Sequence, residues 1–130
     1  MNAIALGCVV ALGLLLFGLG MLVSVLRFQN KALSGSATNP ADSLYKVIRA
    51  HGNTAEYVAF FAALFLYLGS HAPAGWVLWV MVVATVCRYL VVAGLIFPRS
   101  MHAPNPLRFL GALGTYACGI ALCIALTTAV

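Results

Sequence analysis

The sequence has very few charged side chains. Seven basic and two acidic residues make up 7% of the 130-residue chain, whereas hydrophobic residues make up 64%. Soluble domains are about 25% charged and about 45–50% apolar, so this composition excludes an ordinary soluble enzyme and a disordered chain. The net charge of +5 does not indicate nucleic-acid binding, because the basic residues are scattered singly rather than clustered on a polar face. The composition indicates an integral membrane protein.

Metal-binding patterns are also missing from the sequence. No C-x-x-C pair occurs, and all four cysteines fall within apolar runs: Cys8, Cys87, Cys118 and Cys123. This spacing favours small apolar packing residues over metal ligands, so no metal site is expected.

Long apolar runs, by contrast, cover most of the chain. A membrane-spanning helix needs about 20 mainly apolar residues, and four spans can be placed at about 3–26, 45–69, 74–97 and 107–127. The first is expected to be a retained span rather than a signal peptide, because no basic segment precedes it and its apolar run is too long. Four spans with short connections predict an all-α membrane protein, an up-down four-helix bundle in a single domain over residues 1–130.

The connecting segments carry start and stop signals. A polar loop is predicted over residues 27–39, followed by a helix with Asn39 as its N-cap and Pro40 at its first position. Three prolines within Pro98–Pro106 prevent a continuous helix between the third and fourth spans.

The basic residues near the loops indicate the orientation in the membrane. Arg27, Lys31 and Lys46 flank the first connection, and Arg99 and Arg108 flank the third. The remaining turn and both termini carry no lysine or arginine. By the positive-inside rule, the two basic loops are predicted to be cytoplasmic and the termini to lie on the opposite side.

The second span is informative because its apolar part is too short to cross a bilayer. Tyr57–Leu68 is purely apolar, but a span of about 20 residues must begin near Ala50. Asn53 and Glu56 are therefore predicted at hydrocarbon depth, with Arg49 at the rim. These three residues share one helical face, which predicts a polar pocket within the bundle.

A second charge within the membrane is Arg88, in the third span. It lies at a depth similar to that of Glu56, so the two are predicted to pair within or between subunits. Arg27, Arg49 and Arg108 add guanidiniums near the same end, and this cationic surplus indicates an anionic ligand with more than one carboxylate. Two plainer interpretations stay open: a buried hydrogen-bond network that fixes helix packing, and terminal arginines that extend to lipid head groups.

A family resemblance can be stated on these residues. The segment Arg49–Tyr57, with the sequence RAHGNTAEY, resembles the signature of the MAPEG family, the membrane-associated proteins of eicosanoid and glutathione metabolism. Arg88 in the third span and the pair Leu107–Arg108 that opens the fourth also fit the pattern of that family. The resemblance implies a homotrimer of four-helix subunits that binds glutathione at subunit interfaces, near the cytoplasmic side.

The same resemblance implies the roles of individual residues. Glutathione would be bound by Arg27, Arg49, His51, Asn53, Glu56, Tyr57 and Arg88. Arg108 would be the catalytic residue, holding the glutathione thiolate. The second substrate would be an apolar electrophile or a lipid hydroperoxide that arrives from the bilayer, and neither a metal nor a nucleic acid takes part.

The sequence departs from this pattern in the third span. Many active members carry a tyrosine one or two helical turns after the arginine, where this chain has Val91 and Leu95. The departure weakens leukotriene or prostaglandin synthesis as a function and leaves a general glutathione transferase or peroxidase open.

Two other functions compete with this one. The first is a non-catalytic lipid-binding scaffold of the same fold. The second is a small four-span exporter with Glu56 as its proton carrier, which ranks third because Arg49 and Arg88 are expected to keep Glu56 ionised.

Overall fold

The computed structural model describes residues 1–32 and 38–129, which form four α-helices and, within these ranges, no strand. The helices are α1 (Ala3–Gln29), α2 (Ser43–Ser70), α3 (Gly75–Ile96) and α4 (Pro106–Thr127). The predicted all-α fold is confirmed. The middle of the predicted first loop, residues 33–37, lies outside the described residues.

The helices have the length and composition of membrane spans. α1, α3 and α4 are long and apolar enough to cross a bilayer. α2 is more polar because it carries Lys46, Arg49 and Glu56, but its 28 residues give a length of about 42 Å at 1.5 Å per residue. That length exceeds the hydrocarbon thickness of about 30 Å. Together the four helices form an all-α membrane bundle.

Contacts between the ends of the helices establish the up-down order. The Asn2 backbone N–H donates to the Gly69 carbonyl at 2.8 Å, so the start of α1 lies beside the end of α2. At the opposite end, Lys46 Nζ donates to the Pro98 carbonyl at 3.0 Å. The two basic loops therefore lie at the same end of the bundle, which we call the basic end.

The order of packing leaves one side of the bundle open. α2 and α3 form the central pair of the bundle. α1 packs on both of them, and α4 packs mainly on α3. Within the described residues, α1 and α4 do not touch, and the contact between α2 and α4 is sparse. A cleft therefore remains between α2 and α4.

Small residues allow α3 and α4 to approach closely near the basic end. A Cβ atom added at Gly94 would lie 2.5 Å from the Arg108 backbone nitrogen. One added at Gly111 would lie 2.8 Å from the Cys87 carbonyl oxygen. The small residues of α4 serve helix packing, since Gly111, Thr115 and Cys118 are all buried.

Two predicted boundaries are wrong. α2 begins at Ser43 rather than Pro40, and its N-cap is Asp42. Asn39 instead forms a turn before the helix, in which its Oδ1 accepts from the Ala41 N–H at 3.0 Å. Asparagine side chains stabilise such turns as readily as they cap helices, which explains the difference. α1 also continues to Gln29, so Arg27 belongs to its last turn and not to the loop.

Candidate functional site

A cavity of about 310 Å³ lies toward the basic end, between α2, α3 and α4. We call it the polar pocket. Its lining residues are Arg49, Asn53, Tyr57, Arg88, Val91, Leu95, Met101, Arg108, Ala112 and Tyr116. Five of the residues predicted to bind or activate glutathione thus come together in one protomer: Arg49, Asn53, Tyr57, Arg88 and Arg108.

On α2, residues spaced by four face this pocket. Arg49, Asn53 and Tyr57 line it, whereas Glu56 lines the neighbouring cleft beside Phe60. A step of three residues turns the side chain by about 60° from the starting direction, because the helix has about 3.6 residues per turn. The predicted polar face therefore divides into a row that faces the pocket and a row that faces the cleft.

Arg88 is the most buried charged residue of the site, with 1% of its surface exposed. Its Nη2 donates to the Asn53 side-chain oxygen at 2.8 Å and to the Asn53 carbonyl at 3.0 Å. Its guanidinium carbon also lies 4.9 Å from the centre of the Tyr57 ring. These charge-assisted hydrogen bonds and the cation–π contact compensate for burial of the charge.

The partner of Arg88 differs from the predicted one. Within the protomer it is Asn53, and Glu56 lies exposed in the cleft. Counting residues along the helices placed Arg88 level with the polar residues of α2, as its hydrogen bond with Asn53 confirms, but it could not give the direction in which each side chain leaves the helix. A pairing of Glu56 with Arg88 of another protomer stays a prediction.

Arg108 is positioned by the loop that precedes α4. The Asn105 side chain caps the helix, accepting from the Leu107 N–H at 2.9 Å and from the Arg108 N–H at 3.2 Å. Arg108 Nη1 donates to the Met101 carbonyl at 3.1 Å. The backbone and the side chain of Arg108 are therefore both held, and sequence reasoning identified neither Asn105 nor Met101.

The pocket carries an unbalanced positive charge. Three guanidiniums line it, those of Arg49, Arg88 and Arg108, and no carboxylate does among the described residues. Moreover, Arg88 Nε is buried without a hydrogen-bond partner in the described part of the chain. A buried cation with an unused donor points to an anionic ligand, and guanidinium groups are well shaped to bind carboxylates.

The cleft between α2 and α4 forms a second cavity, of about 780 Å³. We call it the apolar groove. It is lined by Glu56, Tyr57, Phe60, Phe61, Thr115, Tyr116, Gly119, Ile120, Cys123, Ile124 and Thr127. Tyr57 and Tyr116 line both cavities, so the polar pocket and the apolar groove meet at these two side chains.

Tyr116 is a site residue that sequence reasoning missed. Its hydroxyl lies 3.5 Å from that of Tyr57, and the ring centres are 6.0 Å apart. The signal was present in the spacing, because Ala112 and Tyr116 follow Arg108 at four and eight residues and therefore lie on the same side of α4. The family pattern places a tyrosine on α3 instead, where Val91 and Leu95 of this chain form an apolar wall of the pocket.

Three of the predicted glutathione-binding residues do not line the polar pocket of one protomer. His51 faces α1, with its Nε2 3.3 Å from the position that a Cβ atom on Gly20 would take. Arg27 lies in the last turn of α1, and Glu56 lies in the apolar groove. Their contact with glutathione stays a prediction.

The site thus combines a cationic pocket with an adjacent apolar groove in a membrane bundle. The family model for the MAPEG family matches residues 5–128, nearly the whole chain. The chain therefore belongs to the MAPEG family, which includes glutathione transferases and related enzymes as well as members that are not enzymes. No curated protein and no solved structure matches the chain in the corresponding comparisons.

Proposed function

We propose that this protein is a membrane-embedded glutathione transferase or peroxidase. It joins the glutathione thiolate to apolar electrophiles, or uses it to reduce lipid hydroperoxides. The observation that carries the proposal is the polar pocket, in which three guanidiniums and no carboxylate line the described surface. The apolar groove next to it supplies a place for a substrate that arrives from the bilayer.

The chemistry of the pocket fits glutathione. This tripeptide carries two carboxylates and a thiol, all of which are bound as anions by guanidinium groups. Arg49 is exposed at the rim and can take a carboxylate, whereas the buried Arg88 lies deeper in the pocket. The Asn53 side chain keeps Arg88 in place without neutralising its charge.

Arg108 is the residue proposed to activate the thiol. A thiol of this kind has an ordinary pKa of about 8.5, and a nearby cation favours the nucleophilic thiolate. Arginine has five N–H donors, and the Met101 carbonyl accepts from one of its two terminal nitrogens. The remaining donors can hold the thiolate, so the reaction needs no general base from the protein.

The proposal includes a homotrimer that binds glutathione between protomers, near the membrane surface at the basic end. The three predicted residues outside the pocket of one protomer, Arg27, His51 and Glu56, would contact the ligand from such an interface. We propose that this end is cytoplasmic, because both basic loops lie there.

The test is turnover of chlorodinitrobenzene with glutathione by the purified protein. We expect Arg108→Ala to lower kcat by about 100-fold or more, as for the loss of other groups that stabilise a developing anion. Arg99→Ala is the matched control, because Arg99 is an exposed loop arginine outside the polar pocket. Its activity should equal that of the unmodified protein.

Three other outcomes are informative. No turnover together with no glutathione binding by calorimetry would contradict the proposal. Ligand binding that persists while Arg108→Ala changes no activity would favour a non-catalytic lipid-binding scaffold. Equal losses in Arg108→Ala and Arg99→Ala would show that the effect of Arg108 is not local.

One observation favours a second candidate function, a proton-coupled exporter. Glu56 lies exposed along the apolar groove, and Arg88 is held by Asn53. In the described part of the protomer, Arg88 therefore bonds Asn53 and forms no salt bridge with Glu56. Proton-driven uptake of a substrate into vesicles, lost in Glu56→Gln, would establish this function in place of the transferase.

A further inference from the structure

We propose that Tyr116 is a catalytic residue of this site, the proton donor to a substrate oxygen that gains negative charge when the glutathione thiolate attacks, as in the opening of an epoxide ring. The inference rests on the proposed function, because it requires glutathione in the polar pocket. It adds the residue that protonates the second substrate.

Two tyrosines lie where the polar pocket and the apolar groove meet. Only Tyr57 and Tyr116 line both the polar pocket and the apolar groove among the described residues. A nucleophile held in the pocket and an apolar molecule in the groove must meet beside these side chains. The Tyr116 side chain is accessible there, since 53% of its surface is exposed.

The groups beside the Tyr116 hydroxyl are suited to stabilise a phenolate. The Tyr57 hydroxyl points toward the Tyr116 oxygen at 3.5 Å, and the Arg88 guanidinium lies over the Tyr57 ring. When Tyr116 gives up its proton, the phenolate oxygen can therefore accept a hydrogen bond from Tyr57. The nearby Arg88 charge stabilises the same negative oxygen.

The distance between the two hydroxyl oxygens leaves room for a substrate oxygen beside both. Their separation of 3.5 Å is longer than an ordinary O–H···O bond of about 2.8 Å. A substrate oxygen can lie about 2.8 Å from both oxygens at once, because the three atoms then form a triangle without overlap. The pair is thus spaced to take one oxygen atom of a ligand between its members.

The reaction on an epoxide is balanced by glutathione, Tyr116 and water, which takes up the proton that the thiol loses. The glutathione thiolate attacks one ring carbon, forming a carbon–sulfur bond while the carbon–oxygen bond of the ring breaks. The electron pair of that bond goes to the oxygen, which takes the proton of Tyr116 and becomes a hydroxyl. Water then returns a proton to Tyr116. Displacement of chloride from chlorodinitrobenzene, in contrast, requires no proton for the leaving group.

Other polar groups of the groove are less suited to donate a proton. The Thr115 hydroxyl already donates to the Gly111 carbonyl at 2.7 Å. Glu56 and Cys123 line the groove but not the polar pocket, where the thiolate is proposed to lie. Glu56→Gln is therefore included as the rival variant.

The experiment compares two substrates, styrene oxide and chlorodinitrobenzene, with the purified full-length protein and glutathione. We expect Tyr116→Phe to lower kcat/KM for styrene oxide by about 100-fold, the usual range for loss of a general acid. The value for chlorodinitrobenzene should change little. Tyr67→Phe is the matched control, because Tyr67 stacks on His71 at the other end of the bundle and should leave both activities unchanged.

The outcomes separate the inference from the function on which it rests. Similar effects of Tyr116→Phe on both substrates, no effect on either, or a selective loss in Glu56→Gln instead would overturn the role of Tyr116. Turnover of chlorodinitrobenzene without turnover of styrene oxide by the unmodified protein would overturn the role of Tyr116 as proton donor to an epoxide oxygen. No turnover of either substrate would overturn the proposed function as well.

A second measurement does not depend on the folding of the variant. The proposal has the Tyr116 proton move to the substrate oxygen as the carbon–oxygen bond breaks. The unmodified protein should therefore convert styrene oxide more slowly in heavy water, whereas the chlorodinitrobenzene reaction should show no such effect. Equal rates in light and heavy water for styrene oxide would overturn the proposal.

Discussion

Asn53 shows how a single side chain connects the helices of this site. It is half-buried on α2, and its oxygen accepts from the buried Arg88 of α3 at 2.8 Å. A neutral acceptor satisfies part of the guanidinium while leaving its positive charge available to a ligand. The carboxylate of Glu56, which the sequence predicted as the partner of Arg88, would instead neutralise that charge.

We expect Asn53→Ala to destabilise the protein by about 1–3 kcal/mol, because Arg88 loses a charge-assisted hydrogen bond in a buried position. Asn53→Asp should keep the melting temperature but weaken glutathione binding several-fold, because its carboxylate neutralises Arg88. Thermal unfolding in detergent and calorimetric titration measure the two effects. Tighter binding of glutathione by Asn53→Asp would contradict the need for an uncompensated charge.

The residues of the site differ in how clearly the sequence marks them. The polar residues of α2 and Arg88 could be identified because a span has a fixed length and a charge in it is costly. Spacing also places Tyr116 on the same side of α4 as Arg108, but an isolated tyrosine in an apolar helix is common and carries no such cost. Its place in the site is marked only by the neighbouring α2, which brings Tyr57 to it.

At the scale of the helices, α4 is held in place at its first turn. The Asn105 cap, Pro106 at the start of the helix and the hydrogen bond from Arg108 to the Met101 carbonyl all act there. The loop before it is tied in turn to the turn that precedes α2, since the Met101 N–H donates to the Pro40 carbonyl at 3.3 Å. The position of Arg108 therefore depends on a loop that sequence reasoning described only as non-helical.

We expect Asn105→Ala to lower stability by about 1 kcal/mol through loss of the cap. It should also raise the KM for glutathione, because the backbone of Arg108 is released. Asn2→Ala is a matched control: Asn2 caps α1 in the same way, accepting from the Ile4 and Ala5 N–H groups, but at the opposite end. An equal rise of KM in both variants would contradict the positioning role of Asn105.

The close approach of α3 and α4 is a second feature of this scale. We expect Gly94→Ala to destabilise the protein by about 1–3 kcal/mol or more, because its Cβ would lie 2.5 Å from the Arg108 backbone nitrogen and push the helices apart. Gly18→Ala on α1 is the control, since nothing lies within 4 Å of the added atom. It should be neutral or stabilising, by up to about 1 kcal/mol, because alanine favours the helix. Thermal unfolding distinguishes these results, and a neutral Gly94→Ala would contradict the tight packing.

At the scale of the whole molecule, the fold concentrates basic residues at one end and divides the interior between a polar pocket and an apolar groove. This division suits a reaction between a water-soluble anion and a bilayer-soluble molecule. The anion can enter at the basic end, whereas the apolar molecule can enter between α2 and α4, where the bundle is open.

A ligand that binds only the folded protein must stabilise it. Glutathione at about 100 times its Kd should therefore raise the stability by about 2.7 kcal/mol, which thermal unfolding of the detergent-solubilised protein detects as a higher melting temperature. A glutathione analogue without its two carboxylates should give a much smaller shift, because the arginines lose their partners. Equal shifts would contradict carboxylate recognition by the pocket.

The sequence by itself determined the class of the protein, the number and approximate limits of its helices, and the level along the helices at which Arg88 meets the polar residues of α2. These properties depend on composition and on the length of apolar runs, which a bilayer constrains directly. Only the tertiary structure decided that Arg88 is held by Asn53, that Glu56 lies in the groove, and that Tyr116 joins the site from α4. Such properties depend on the rotation of each helix and on its neighbours, and the nearly uniform apolar surface of these helices leaves that rotation almost unmarked in the sequence.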